Sequence, residues 1–94
     1  MALFVLNCLD KPDSFALRAA NRDAHIAYVS GQAAMRLGGP YLDGENRPIG
    51  SMIVIEADDE AAARAFTEAD PYRLAGLYDR VEIRRWVHFA GHLP

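Results

Sequence analysis

Two apolar runs, Leu3–Leu9 and Met52–Ile55, constrain the fold of this chain more than any other feature. Both are too short for helices and are apolar at successive positions, which marks strands withdrawn from water on both faces. The chain has 94 residues, room for one core, so a single domain over residues 1–94 is expected. Only two long segments have helical character, and two helices cover one face of a small sheet. The other face then needs a partner, and the simplest is the same face of a second copy.

The remaining elements follow from local signals. Asp10-Lys11-Pro12 stops the first strand, and Asp13 or Ser14 is placed to cap a helix running to about Ala34. Phe15, Ala19, Ile26, Val29 and Ala33 recur on one face of it at the helical period. Met35–Leu42 reads as a strand interrupted by Gly38-Gly39-Pro40, and the turn-rich stretch from Asp43 to Pro48 as a hairpin connection. The central strand spans Gly50–Ala57. Asp58 is placed to cap the second helix, whose stripe is Ala62, Ala65, Phe66 and Ala69. Asp70-Pro71 ends that helix, since the residue before a proline is driven out of the helical region. A short turn to Ala75 follows, then a strand over Val81–Val87 and a tail from Phe89 to Pro94. The order strand, helix, strand, strand, helix, strand is the α+β, ferredoxin-like βαββαβ arrangement with an antiparallel four-stranded sheet.

Charge and cysteine content remove several function classes. The net charge is −3, and the arginines are scattered, which disfavours nucleic-acid binding through a basic field. No apolar stretch approaches the roughly 20 residues of a bilayer span, and the start Met1-Ala2-Leu3 has no leader pattern. Cys8 is the single cysteine; without a possible internal disulfide, a reducing, cytoplasmic setting is expected. Cys8 itself reads as an inert core thiol. His88 and His92 lack a third ligand at a metal-binding spacing, so no metal is expected.

The chemistry-bearing residues concentrate in three short motifs. Arg22-x-x-His25 lies on the first helix, with Arg22 seven residues after Phe15 and therefore on the apolar stripe, and Arg18 on the same flank. A guanidinium there must be ion-paired or face a wet cavity, because an unpaired buried charge is costly. Either Arg22 is a structural ion pair and His25 an edge histidine, or the two line a pocket, with Arg22 attracting an anion and His25 moving a proton near neutral pH. Asp70 followed by Pro71 is a good helix-start pair in its own right; the functional alternative is that Asp70 orients His25, with Tyr72 at the same rim. Gly39-Pro40 is either a strand bend or a backbone approach to a ligand. Ser51, at the start of the central strand, has no nucleophile-elbow motif around it and is a candidate polar pocket group.

Taken together, Arg22-x-x-His25, Gly39-Pro40, Gly50-Ser51, Asp70-Pro71-Tyr72 and the later Glu82-Ile83 resemble the YCII-related (YciI-like) family along nearly the whole chain. The resemblance implies a ferredoxin-like subunit of a dimeric α/β barrel and a His–Asp pair, here His25 and Asp70, with Arg22 and Ser51 nearby. The wider superfamily includes muconolactone isomerases, and the family includes an enzyme that removes chloride from a chlorinated hydroxyhydroquinone. The expected function is therefore that of a cofactor-independent lyase, dehydrohalogenase or isomerase acting on a small cyclic, anionic or phenolic substrate. The alternatives are a non-catalytic small-molecule binder or accessory domain and a purely structural dimerisation module. The expected partners are a small molecule and a second copy, not nucleic acid or membrane.

Overall fold

Antiparallel pairing of the two apolar runs organises the sheet: Leu6 lies opposite Ile53, Phe4 opposite Ile55 and Val5 opposite Val54. The computed structural model describes residues 1–93; of the expected tail, Pro94 lies outside the described residues. The elements are β1 (Ala2–Asp10), α1 (Phe15–Ser30), β2 (Met35–Leu42), β3 (Pro48–Ala57), α2 (Glu60–Glu68), α3 (Pro71–Leu74) and β4 (Tyr78–Trp86). All strand pairs are antiparallel and the sheet order is β2-β3-β1-β4. This is the ferredoxin-like α+β arrangement, with α3 as a short addition.

The strand period assigns side chains to faces. Phe4, Leu6 and Cys8 of β1 alternate inward with Ile53 and Ile55 of β3 to form the core beneath the helices, closed by Phe66, Tyr72 and Leu77. Burial of each large apolar side chain there contributes about 1.5–3 kcal/mol. The same alternation puts Asp10 on the inner face. The opposite face, which carries Val5, Asn7, Val54, Met52 and Trp86, has no helix over it. Tyr41 crosses Gly50 on this face to hydrogen-bond Asn7.

Several boundaries differ from the sequence expectation, each for a local reason. α1 ends at Ser30 rather than near Ala34, because Gly31 closes the last turn through its N–H to the carbonyls of Ala27 and Tyr28. Ser14 occupies the first cap but its hydroxyl turns back to the carbonyl of Pro12, so no side chain caps α1. α2 is capped by Asp59, not Asp58; its carboxylate accepts the N–H of Ala62. The buried side of α2 is accordingly Ala63, Phe66 and Thr67; of the expected stripe Phe66 is buried, while Ala62, Ala65 and Ala69 are exposed. β4 begins at Tyr78 and ends at Trp86. The inner face of α1 is Arg18, His25 and Val29, while Ala19 and Ile26 are exposed.

Gly50 is required by close approach rather than by turn geometry. A Cβ there would sit 2.6 Å from the carbonyl oxygen of Cys8 and 3.3 Å from the Tyr41 ring. Backbone cannot yield as a side chain does, so Gly50→Ala should lower stability by about 1–3 kcal/mol, read as a reduced urea midpoint at unchanged slope.

Candidate active site

Two polar residues on the inner face of α1 have to be satisfied inside the core, and each recruits its own carboxylate. Arg18, with its side chain 7% exposed, donates from Nε to Asp10 Oδ2 at 2.8 Å. Its Nη2 donates to the carbonyl of Gly50 and to Ser51 Oγ, both at 2.7 Å, and its Nη1 to the Tyr72 hydroxyl at 3.4 Å. One turn pair further along, His25 Nδ1 lies 2.7 Å from Asp70 Oδ1. The guanidinium that enters the core is thus Arg18. Arg22 stands at the mouth with its side chain 65% exposed, and its ion pair with Asp23 is a loose 3.9 Å contact.

Asp70 joins α2 to α3 and serves two structures at once. It caps α3 by accepting the N–H of Tyr72 at 2.9 Å, and Pro71 follows at the first helical position. Its Oδ2 accepts the Tyr78 hydroxyl at 2.8 Å. Burial and the neighbouring Cys8 and Asp70 push the Tyr78 phenol strongly upward, so it remains a donor. An ionised carboxylate only accepts, so the proton shared with His25 belongs to Nδ1, which leaves the Nε2 lone pair for other work. Tyr72 stacks flat against the imidazole, with ring centroids 3.9 Å apart and an interplanar angle of 15°, and holds its plane. The Arg18 guanidinium carbon lies 4.7 Å from the centre of the same ring.

Beside these groups lies a cavity of about 300 Å³ between α1 and the β2–β3 edge of the sheet. It exists because Gly38-Gly39-Pro40 gives β2 little side-chain volume to place under α1. The wall includes His25, Arg18, Arg22, Gly39, Pro40, Ser51 and Tyr72, with Ile26, Val29, Met35 and Ile53 supplying apolar surface. All the residues singled out in the sequence as substrate contacts therefore border one hollow, and Asp70 stands behind His25 instead of in the wall. Arg18, Asp10 and Tyr78 were not assigned roles from the sequence. The available signal for the first two was the inward alternation of β1: an acid at Asp10 on that face demands a cation across from it. Cys8 is buried away from the cavity wall, and burial, reinforced by Asp70, pushes its thiol up to about 12. His88 and His92 lie beyond β4, and no group of three or more possible metal ligands occurs among the described residues. No described helix is long and apolar enough to cross a membrane.

A four-stranded ferredoxin-like sheet with a polar hollow under its first helix defines the architectural class of dimeric α/β-barrel subunits. The chain belongs to the YCII-related domain family, whose model matches residues 2–87. Protein YciI of Escherichia coli O6:H1 is 33% identical, the match covering 87% of this chain and 93% of that protein. Among solved structures, the 5-chloro-2-hydroxyhydroquinone dehydrochlorinase TftG of Burkholderia phenoliruptrix AC1100, in complex with 2,5-dihydroxybenzoquinone, superposes with a TM-score of 0.86. It is 32% identical, and the superposition covers 93% of this chain and 95% of that one. Rv0793 of Mycobacterium tuberculosis shares the fold alone, with a TM-score of 0.57 and 14% identity over 96% of both chains.

Proposed function

We propose that this protein is a lyase, dehydrohalogenase or isomerase that moves a proton on a small cyclic phenolic or anionic compound. One observation carries the proposal: an imidazole held by a buried carboxylate at 2.7 Å, stacked on Tyr72, forms part of the wall of a cavity sized for one small ring. His25 Nε2 accepts a proton from a substrate carbon or hydroxyl. The electron pair left behind moves into the ring and, in a chlorinated substrate, expels chloride. In an isomerisation the same proton returns to another carbon. Asp70 fixes the tautomer and steadies the imidazolium. Arg22, at the mouth, draws an anionic substrate in, and Gly39, Pro40, Ser51 and Tyr72 shape the hollow. The likeness to a dehydrochlorinase with a bound dihydroxybenzoquinone supports a ring substrate. The reaction as drawn is a proton transfer and asks for no cofactor.

The test is turnover of chlorinated hydroquinones, catechols and lactones, followed by chloride release and product mass. On an active substrate, His25→Ala should reduce kcat by about 10²–10⁴-fold. Unaltered kcat would remove the imidazole from the mechanism. A second reading, a non-catalytic binder, is favoured by the fact that Asp70 already has a structural role in capping α3 and holding Tyr78. It predicts saturable binding of the same compounds with no change in their mass.

We also infer a two-fold dimer through the uncovered sheet face. Val5, Met52 and Trp86 lie on that face with no helix above them and are not fully buried in the single chain, and a self-complementary sheet-on-sheet contact removes them from water. Sedimentation should give a dimer for the native chain, and Val5→Glu, which plants a charge in the middle of the contact, should give a monomer. A native monomer at micromolar concentration would refute the dimer.

A further inference from the structure

The hydrogen bonds around Arg18 have a polarity that says which atom of a ligand the cavity is built to receive. A guanidinium has five N–H donors and no acceptor. Four of the five are used: one on Asp10, one on the Gly50 carbonyl, one on Ser51 Oγ and one on the Tyr72 hydroxyl. The fifth is on Nη1. Ser51 is 3% exposed and receives the Nη2 proton at 2.7 Å, so Arg18 occupies one of its lone pairs. No described residue accepts the Ser51 proton. Both Arg18 and Ser51 border the cavity. Ser51 Oγ–H and the second Arg18 Nη1–H are therefore left over on one wall, one of them on a cation, and with them the Tyr72 hydroxyl proton, with no acceptor among the described residues.

We propose that Ser51 Oγ–H and the remaining Arg18 Nη1–H form an oxyanion subsite, which binds a phenolate or enolate oxygen of the substrate. The assignment rests on the reading of the cavity as a proton-transfer site and deepens it. When His25 Nε2 takes a proton from the ring, the electron pair spreads onto a ring oxygen; that oxygen gains negative charge against two fixed donors, and no group has to move to meet it. Asp10 keeps the guanidinium in place through Nε, so Asp10 is a positioning residue and Arg18 with Ser51 are the contacts. Arg22, exposed at the mouth, serves attraction at longer range. The subsite takes planar compounds with an acidic hydroxyl and discriminates against their ethers, which place a methyl group where a charged oxygen should sit and leave the donors unpaired.

4-Nitrophenol is the probe, because its absorbance separates phenol from phenolate; 4-nitroanisole is its neutral counterpart. Native protein should bind the phenolate at least about tenfold more tightly than the phenol, read as a fall of about one unit in the bound nitrophenol pKa. Ser51→Ala should weaken phenolate binding about tenfold and erase most of that fall, without weakening nitroanisole binding, since the ether never paired that donor. Ser51→Thr, which retains a hydroxyl, should restore it, and circular dichroism establishes that both variants are folded. His25→Gln should keep the phenolate preference. The subsite is overturned if native protein shows no preference, or if the preference survives in Ser51→Ala and vanishes in His25→Gln, which would make the imidazolium the anion's partner. Failure of the proton-transfer reading is read separately, as undiminished turnover by His25→Gln.

Discussion

Replacing Arg18 with methionine should cost this protein about 3–5 kcal/mol, a large part of the total stability of a chain this size. The methionine fills much of the volume but removes every donor. Asp10, whose side chain is 5% exposed, is left as a buried carboxylate with no cation. Its other oxygen, Oδ1, already has no partner among the described residues, so the whole charge rests on the Arg18 contact. The Gly50 carbonyl, Ser51 Oγ and the Tyr72 hydroxyl each lose a donor as well. The size of the effect comes mainly from the stranded charge, and a double variant isolates it. Asp10→Leu with Arg18→Met removes both charges, and replacing a buried ion pair by apolar groups of similar volume is often close to neutral. Urea unfolding of the two single variants and the double should therefore give a strongly non-additive cycle, with the double more stable than Arg18→Met alone. If the double variant is instead as unstable as the sum of the singles, the hydroxyl and carbonyl contacts, not the ion pair, hold this corner together.

The same corner marks where sequence reasoning succeeded and where it stopped. The strand runs, the helix order and the boundary between α2 and α3 left local traces: apolar runs of strand length, helical spacing, and an Asp-Pro pair that ends one helix and starts another; the meeting of His25 with Asp70 left none and was expected only from the family resemblance. The inner face of α1 did not. Counting from Phe15 places Arg22 on the stripe, yet the buried face begins at Arg18 and continues through His25 and Val29. Apolar periodicity is blind to a face whose buried members are a guanidinium and an imidazole, because the partners that make them tolerable, Asp10 and Asp70, lie on other elements. Tyr78 was missed for a similar reason. Its strand was expected to start at Val81, but the pairing of Asp10 with Tyr78 extends β4 three residues earlier, through a register shift that no side-chain pattern announces. The cavity was legible only as a glycine pair in β2; its volume depends on how α1 lies across that strand.

Asp70→Asn should slow the proposed proton transfer by about 10²–10⁴-fold while costing only about 1–2 kcal/mol of stability, and Tyr78 is the reason the two effects separate. An asparagine has one acceptor and one donor end. If its oxygen takes the Oδ1 position, it still accepts from the Tyr72 N–H and from His25 Nδ1–H, so the α3 cap and the imidazole tautomer both survive. The amide NH₂ then meets the Tyr78 hydroxyl, which is free to rotate and accept where it formerly donated. What disappears is the negative charge that, in the proposed mechanism, stabilises the imidazolium once His25 has taken the substrate proton, so the expected loss falls on kcat. Adding Tyr78→Phe removes the one group that tolerates the reversed amide. The Asn side chain must then either bury an unpaired NH₂ or turn over and present a donor to His25 Nδ1, which forces the proton to Nε2 and abolishes the base. Asp70→Asn with Tyr78→Phe should accordingly lose more activity than the product of the single effects, with thermal unfolding checking that the fold remains. Tyr78→Phe alone leaves the carboxylate on His25 and should change kcat little. If Tyr78→Phe by itself is as damaging as Asp70→Asn, the carboxylate does not hold His25 in place unaided and its own position depends on the Tyr78 hydroxyl.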